Sequence, residues 1–208
     1  MKGLMMNHWA LSKKSVCIYL PIAVVICALF NIGQQGMTGG FLPCYLLAII
    51  ALDNLKNEKG SDWPKLALTL PLNRKMYVQS HFLFYLLLAV TGGVLVFVVT
   101  SILQMSIIAG FIALFIGVGI TAQLTLMYPL MYKYGSENSN GIMMLAILPV
   151  ILVYIVYTIV LTIIASIGHD EPNQMIMFIG SAIYFVISLF VAALIYWIAV
   201  KVFKSLAF

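Results

Sequence analysis

Charge is the scarcest property of this 208-residue chain: Asp, Glu, Lys and Arg make up only 8% of it, against 63% hydrophobic residues. A soluble domain carries about 25% charged residues, so that class is excluded and the composition is that of an integral membrane protein. Between Met76 and Tyr132 there is no Asp, Glu, Lys or Arg. Cysteine is also sparse. Cys17, Cys27 and Cys44 are odd in number, lie in or beside apolar runs and have no metal-ligand spacing, which excludes a disulfide framework and leaves small packing residues. Internal repeats and low-complexity tracts are missing as well.

Catalytic chemistry has little to work with. The chain has no His-x-x-Glu-His zinc site, no Ser/His nucleophile motif, no paired carboxylates within an apolar run and no G-x-x-x-x-G-K-[ST] phosphate loop. His8 and His81 are lone histidines near helix ends and read as interfacial polar residues. His169-Asp170-Glu171 is a run of three consecutive residues closed by Pro172; such neighbours do not converge on one ion unaided, so a solvated turn is expected rather than a metal site. Ion-coupled transport generally needs ionisable groups inside the bilayer, and the apolar runs hold none near their centres. Their polar residues are Asn31, Thr91, Gln104, Gln123, Thr125 and Ser181, each expected to make an interhelical hydrogen bond. Gln123 and Asn31 are the candidates for a substrate path. Glycines 110, 117 and 119 and the pair Gly92–Gly93 suit close helix packing. The twelve methionines read as packing residues.

What the chain does have is long apolar runs. A hydrocarbon core of about 30 Å takes roughly 20 helical residues to cross. Six runs qualify, at about 15–33, 37–55, 76–101, 105–132, 142–167 and 175–200, the third and fourth split at "SILQMS". The second is the shortest in strongly apolar residues. If all six cross, every one of the eleven Lys and Arg residues lies on the side of the two termini, and the other side carries only the acids of "HDEPNQ". The positive-inside rule makes the basic side cytoplasmic. The expected fold is therefore all-α: a single transmembrane domain over 1–208, six spans, both termini cytoplasmic. Before the first span, which reads as retained rather than as a cleaved signal, "MKGLMMNHWALSKK" is expected to form a short interfacial helix. Leu4, Met5, Trp9 and Leu11 would lie in the interface and Lys2, Lys13 and Lys14 would face headgroups.

One loop between spans stands apart. "EKGSDWPKLALTLPLNRK", Glu58–Lys75, concentrates charge in a chain that otherwise avoids it. Ser61 or Asp62 can cap a helix, Pro64 suits its first turn, and Trp63, Leu66, Ala67 and Leu70 recur on one face. Pro71 ends it. A helix of about two turns over 62–70 is too short to persist alone in water. Either the bilayer interface or a protein groove that takes Trp63 as an anchor must hold it.

The run from Trp63 to Arg74 fits W-x-x-x-x-x-T-L-P-x-x-R and resembles the loop before the third span in small bacterial ABC type-2 permeases. The N-terminal lead-in, chain length, span number and inside termini also resemble that family. Within it the chain is similar to permeases of phenol-soluble-modulin-type peptide exporters. The chain departs from the family's pattern at two places: Asn7-His8 stands where relatives commonly have Lys-Asp, and His81-Phe82 where they commonly have Lys-Tyr.

The resemblance implies a non-enzymatic permease subunit of an exporter in the bacterial plasma membrane. It would pair with a second copy or a paralogue and with two cytosolic ABC ATPase subunits, which bind ATP and Mg; this chain would bind no cofactor and no nucleic acid. Asp62, Trp63, Leu66, Ala67, Leu70 and Arg74 would form the ATPase-coupling helix. The cargo would be amphipathic or hydrophobic: a peptide, toxin, antibiotic or lipid-like molecule. A passive carrier, scramblase or scaffold whose loop helix rests on lipid is the competing reading, and an intramembrane enzyme comes third.

Overall fold

The computed structural model describes residues 2–33, 39–60, 74–135, 139–167 and 172–205. Every regular element among them is helical. They are α1 (Lys2–Ile32), α2 (Phe41–Gly60), α3 (Arg74–Leu103), α4 (Ile107–Gln123), a 3₁₀ turn over Leu124–Leu126, α5 (Met127–Tyr134), α6 (Ser139–Ser166) and α7 (Gln174–Ser205). Among the described residues, five stretches are long and apolar enough to cross a membrane: Gly3–Ile32, Lys75–Leu103, Ile107–Tyr134, Ser139–Ser166 and Gln174–Ser205. The chain is thus a multi-pass helical membrane protein.

α2 falls outside that group because Asp53, Lys56, Glu58 and Lys59 crowd its last turns. Packing offsets what its sequence lacks. Cys44, Leu47, Ala48, Ile50, Ala51, Leu52 and Leu55 are all buried, and α2 lies against α1, α3 and α4. A helix enclosed by protein does not have to present lipid with an apolar surface all round.

α4 occupies the centre, flanked by α3, α7 and α2. Close approach there depends on residues without side chains. A Cβ added to Gly117 would lie 2.7 Å from both the Gly40 carbonyl oxygen and Cys44 Sγ, and one added to Gly92 would lie 2.8 Å from Cys44 Cα. Cys44 therefore sits between two glycines on neighbouring helices, a small-residue seam of the kind that lets membrane helices touch.

The turn expected at "SILQMS" is present. α3 ends at Leu103, Met105 adopts φ +49°, and the Ser106 hydroxyl accepts from the Ala109 amide at 3.3 Å to cap α4. The expected short interfacial helix is not a separate element. The lead-in and first span form one helix, Lys2–Ile32. Leu4, His8 and Ser12, four residues apart, are buried against protein, whereas Trp9 and Leu11 are exposed. No proline stands between Lys2 and Lys14 and the single glycine, Gly3, is in the first turn, so the ladder continues, and its buried stripe finds helices to pack on.

Candidate functional site

Asp62, Trp63, Leu66, Ala67 and Leu70, expected to face an ATPase, lie outside the described residues, as does the 62–70 helix itself. Arg74 is the first residue of α3. The helix ends that border this segment can be described. α2 brings Asn54 against α1: its Nδ2 donates to the His8 carbonyl oxygen at 3.3 Å and to the Ser12 hydroxyl. α1 in turn meets α3, where His8 Nε2 lies 3.4 Å from Ser80 Oγ and the His8 and His81 rings are 4.5 Å apart.

Aromatic rings surround that pair. Phe84 stacks on His8 at 5.4 Å and Tyr77 packs edge-on against His81 at 4.6 Å. Tyr77 also stacks on Phe203 of α7 at 5.2 Å, and Phe203 touches Tyr132 of α5 at 5.1 Å. The Tyr128 hydroxyl donates to the His81 carbonyl oxygen at 3.4 Å. His8 and His81 are both nearly inaccessible to solvent, so they are core partners and not lone interfacial histidines. Positions 8 and 81 therefore face each other across the α1–α3 contact. Sequence reading missed this because the residues lie on different helices with the whole of α2 between them. Chemically the cluster is a clamp: ring contacts and hydrogen bonds tie α1, α2, α3, α5 and α7 at the lysine-bearing end.

The two candidates for a substrate path are far apart in role. Asn31 Nδ2 donates to the Cys27 carbonyl oxygen at 2.8 Å and to Thr100 Oγ1 at 3.3 Å, tying α1 to the end of α3. Gln123 Nε2 donates to Ser188 Oγ at 2.8 Å, tying α4 to α7. Both make the interhelical bonds expected of them. The hydroxyls of Thr91, Thr125 and Ser181 instead return to carbonyls of their own segments.

Gln123 has a neighbour that sequence reading overlooked. The α ladder gives way to 3₁₀ geometry at Leu124–Leu126, where the Met127 amide bonds the Leu124 carbonyl. The readable signal was Pro129, which has no amide to offer Thr125, four residues back, and whose ring crowds that carbonyl. The distortion is held from outside. Tyr85 of α3 donates its hydroxyl to the Thr121 carbonyl at 2.7 Å, and Tyr128, just past the break, meets the Tyr85 ring at an 88° interplanar angle. On the opposite side Tyr184 of α7 lies over Gly119, where a Cβ would come within 3.0 Å of its ring. Tyr157 of α6 packs on Tyr184 at 4.8 Å and donates to the Gly180 carbonyl at 2.7 Å. A 3₁₀ break, an amide and several hydroxyls thus meet within an apolar core. No group of three potential metal ligands occurs among the described residues, and His169, Asp170 and Glu171 lie outside them.

Compared with known proteins, the chain matches one family model, described as ABC-2 family transporter protein, over residues 3–203. It therefore belongs to that family. No curated protein and no solved structure gives a significant match.

Proposed function

We propose that this ABC-2 family chain is the permease subunit of an ATP-driven exporter in a bacterial plasma membrane, and that separate cytosolic ATPases drive it through the segment 62–70. The observation that carries the reading is the family match across residues 3–203. It is supported by apolar runs that lack ionisable groups at their centres, a composition that points to an energy source outside the bilayer. In this reading α2 crosses as a sixth span and both termini are cytoplasmic, the side that gathers all eleven Lys and Arg residues.

ATP and Mg belong to the partner, and two ATPases work with two permease chains, identical or paralogous. This chain's contribution is mechanical. Trp63 fills a groove on the ATPase with Leu66, Ala67 and Leu70 beside it, and Asp62 and Arg74 flank the contact. Movement of that segment reaches α3 directly and reaches α1 through the His8–His81 contact, whose ring separation is 4.5 Å. The break at Leu124–Leu126 gives the central span a place to bend. A path bordered by Gln123 and tyrosine hydroxyls, with no charge, suits an amphipathic or hydrophobic cargo such as a peptide.

The test is a mild-detergent pull-down of tagged protein from native membranes with every co-purifying chain identified. A stoichiometric P-loop ATPase is expected. Trp63→Ala should weaken its capture by about 30- to 1000-fold, the effect of losing an aromatic anchor worth roughly 2–4 kcal/mol, while insertion is unchanged. Unchanged capture would remove Trp63 from the contact. A chain that purifies alone through several gentle detergents would replace the exporter with a passive carrier.

A further inference from the structure

The chain leaves α2 at Gly60 and enters α3 at Arg74, and both of these helices grip the same turns of α1. From α3, Ser80 Oγ lies 3.4 Å from His8 Nε2, and the His81 and Phe84 rings lie 4.5 and 5.4 Å from the His8 ring. From α2, the Asn54 amide donates to the His8 carbonyl oxygen at 3.3 Å and to the Ser12 hydroxyl. We propose that Asn54 is a positioning residue for transport: its amide is the joint that makes the end of α2 move with α1 and α3 when a partner pulls on the segment 62–70. The proposal rests on the reading above, in which that segment receives the ATPase.

The holds on α1 differ in kind. α1 and α3 are joined at both ends, by the His8 contacts and by the bond from Asn31 Nδ2 to Thr100 Oγ1 at 3.3 Å. About 35 Å of helix separates His8 from Asn31, and about 30 Å separates Ser80 from Thr100. Two rods tied that far apart resist sliding past each other and behave as one body. Along its length α2 instead meets its neighbours through Leu47, Ala48, Ile50, Ala51 and Leu52, all buried. Apolar contact is non-directional, so by itself it sets how closely α2 lies without fixing its position along α1.

Asn54 supplies the missing direction. Its two acceptors, the His8 carbonyl and the Ser12 hydroxyl, are about one turn of α1 apart, so a single amide fixes α2 both along α1 and around it. Asn54 is 5% exposed and Ser12 0%, which keeps water from replacing either bond. A slip of α2 would leave the amide and the Ser12 hydroxyl unserved, and two buried hydrogen bonds favour the joined arrangement by roughly tenfold or more. A leucine at 54 would meet the need for burial equally well; the amide adds a fixed register.

Pulsed electron-spin distance measurements on the permease with its captured ATPase, in lipid nanodiscs, test the joint. Spin labels go on the exposed sites Met6→Cys, Lys56→Cys and Gln79→Cys, with the exposed Cys17 changed to Ser. The Met6/Lys56 pair reports α1 against α2, and the Met6/Gln79 pair reports α1 against α3. A non-hydrolysable ATP analogue should leave both distances unchanged in the parent. In Asn54→Leu the same analogue should shift or broaden the Met6/Lys56 distance and leave Met6/Gln79 fixed. Ser12→Ala removes one of the two bonds and little bulk, so it should show the same response in smaller measure, and it decides alone if Asn54→Leu does not fold. A Met6/Lys56 distance that responds to nucleotide already in the parent, or in neither variant, overturns the proposal. A shift in Asn54→Leu that is complete without nucleotide also overturns it and leaves Asn54 a purely structural role. A parent chain that captures no ATPase sinks the transport reading and the joint with it, whereas capture with unresponsive variants sinks the joint alone.

Discussion

Ile107–Tyr134 and Ser139–Ser166 are the same length, 28 residues, and similarly apolar, with mean hydropathies of 2.2 and 2.8. Each contains a proline. Yet in the most apolar 18-residue stretch of each, 67% of the first is buried within the protein against 11% of the second. Hydropathy cannot distinguish them, because lipid and protein interior are equally apolar. Small residues can. The first has Ala109, Gly110, Ala113, Gly117, Gly119 and Ala122 within its α4 segment, while α6 is mostly Leu, Ile, Val and Met. Without a hydrophobic drive between helices in lipid, burial goes to the segment whose backbone neighbours can approach. The outer helix presents Leu148, Leu152, Ile155, Ile159 and Ile163 outward instead.

The largest expected effect follows from this contrast. Gly117→Val puts a branched side chain where even a Cβ would meet Gly40 and Cys44 at 2.7 Å, and one of those contacts is to backbone, which cannot swing away. A loss of about 3 kcal/mol or more is expected, seen as a lower midpoint in thermal unfolding in detergent. Ile159→Ala, at a site 54% exposed on α6, should shift the same midpoint by less than about 0.5 kcal/mol. If Ile159→Ala proved as costly as Gly117→Val, the outer helix would be packed against something in the membrane and the contrast would fail.

A second pair compares hydroxyls. Tyr85→Phe removes the donor that the Thr121 carbonyl accepts from beside the break, and it should cost about 1–2 kcal/mol by leaving a buried acceptor poorly served. Tyr157→Phe removes the bond from α6 to the Gly180 carbonyl. An interhelical bond of that kind averages about 0.6 kcal/mol. Equal losses in the same melt would show that the break needs no special support.

Much of the fold was legible because hydropathy is local: the six apolar runs correspond to α1, α2, α3, α4–α5, α6 and α7. What escaped depends on distant partners. His8 and His81 looked solitary because nothing local in a sequence announces a contact across 72 intervening positions. The lead-in looked interfacial because Lys13 and Lys14 resemble a membrane boundary, whereas the every-fourth-residue stripe of Leu4, His8 and Ser12 fixed it to protein. The roles of Gln123 and Asn31 as interhelical ties were readable from residue type, but their partners Ser188 and Thr100 were not. Pro129 was readable too, and only its surroundings explain why it breaks a helix when Pro149 does not.

That last difference gives the smallest and sharpest test. Pro149 denies an amide to Leu145, as Pro129 denies one to Thr125, yet α6 continues unbroken. Opening a ladder inside a membrane requires another group to serve the freed carbonyls. Beside Pro129 the tyrosines of α3 are at hand; around Pro149 the nearby side chains include Leu145, Leu148 and Leu152, all directed outward. Pro129→Ala should therefore let the α ladder close through Leu124–Leu126, slowing amide hydrogen exchange there. The stability change should stay within about 1 kcal/mol, because the hydrogen bond gained is offset by strain on the packed Tyr128. Pro149→Ala should alter neither exchange nor stability beyond about 0.5 kcal/mol. Closing three residues from 3₁₀ to α also shortens the span by about 1.5 Å, displacing the Tyr128–His81 contact that joins the break to the clamp. If exchange responds equally at both prolines, the break belongs to the proline alone and the packing around it is passive.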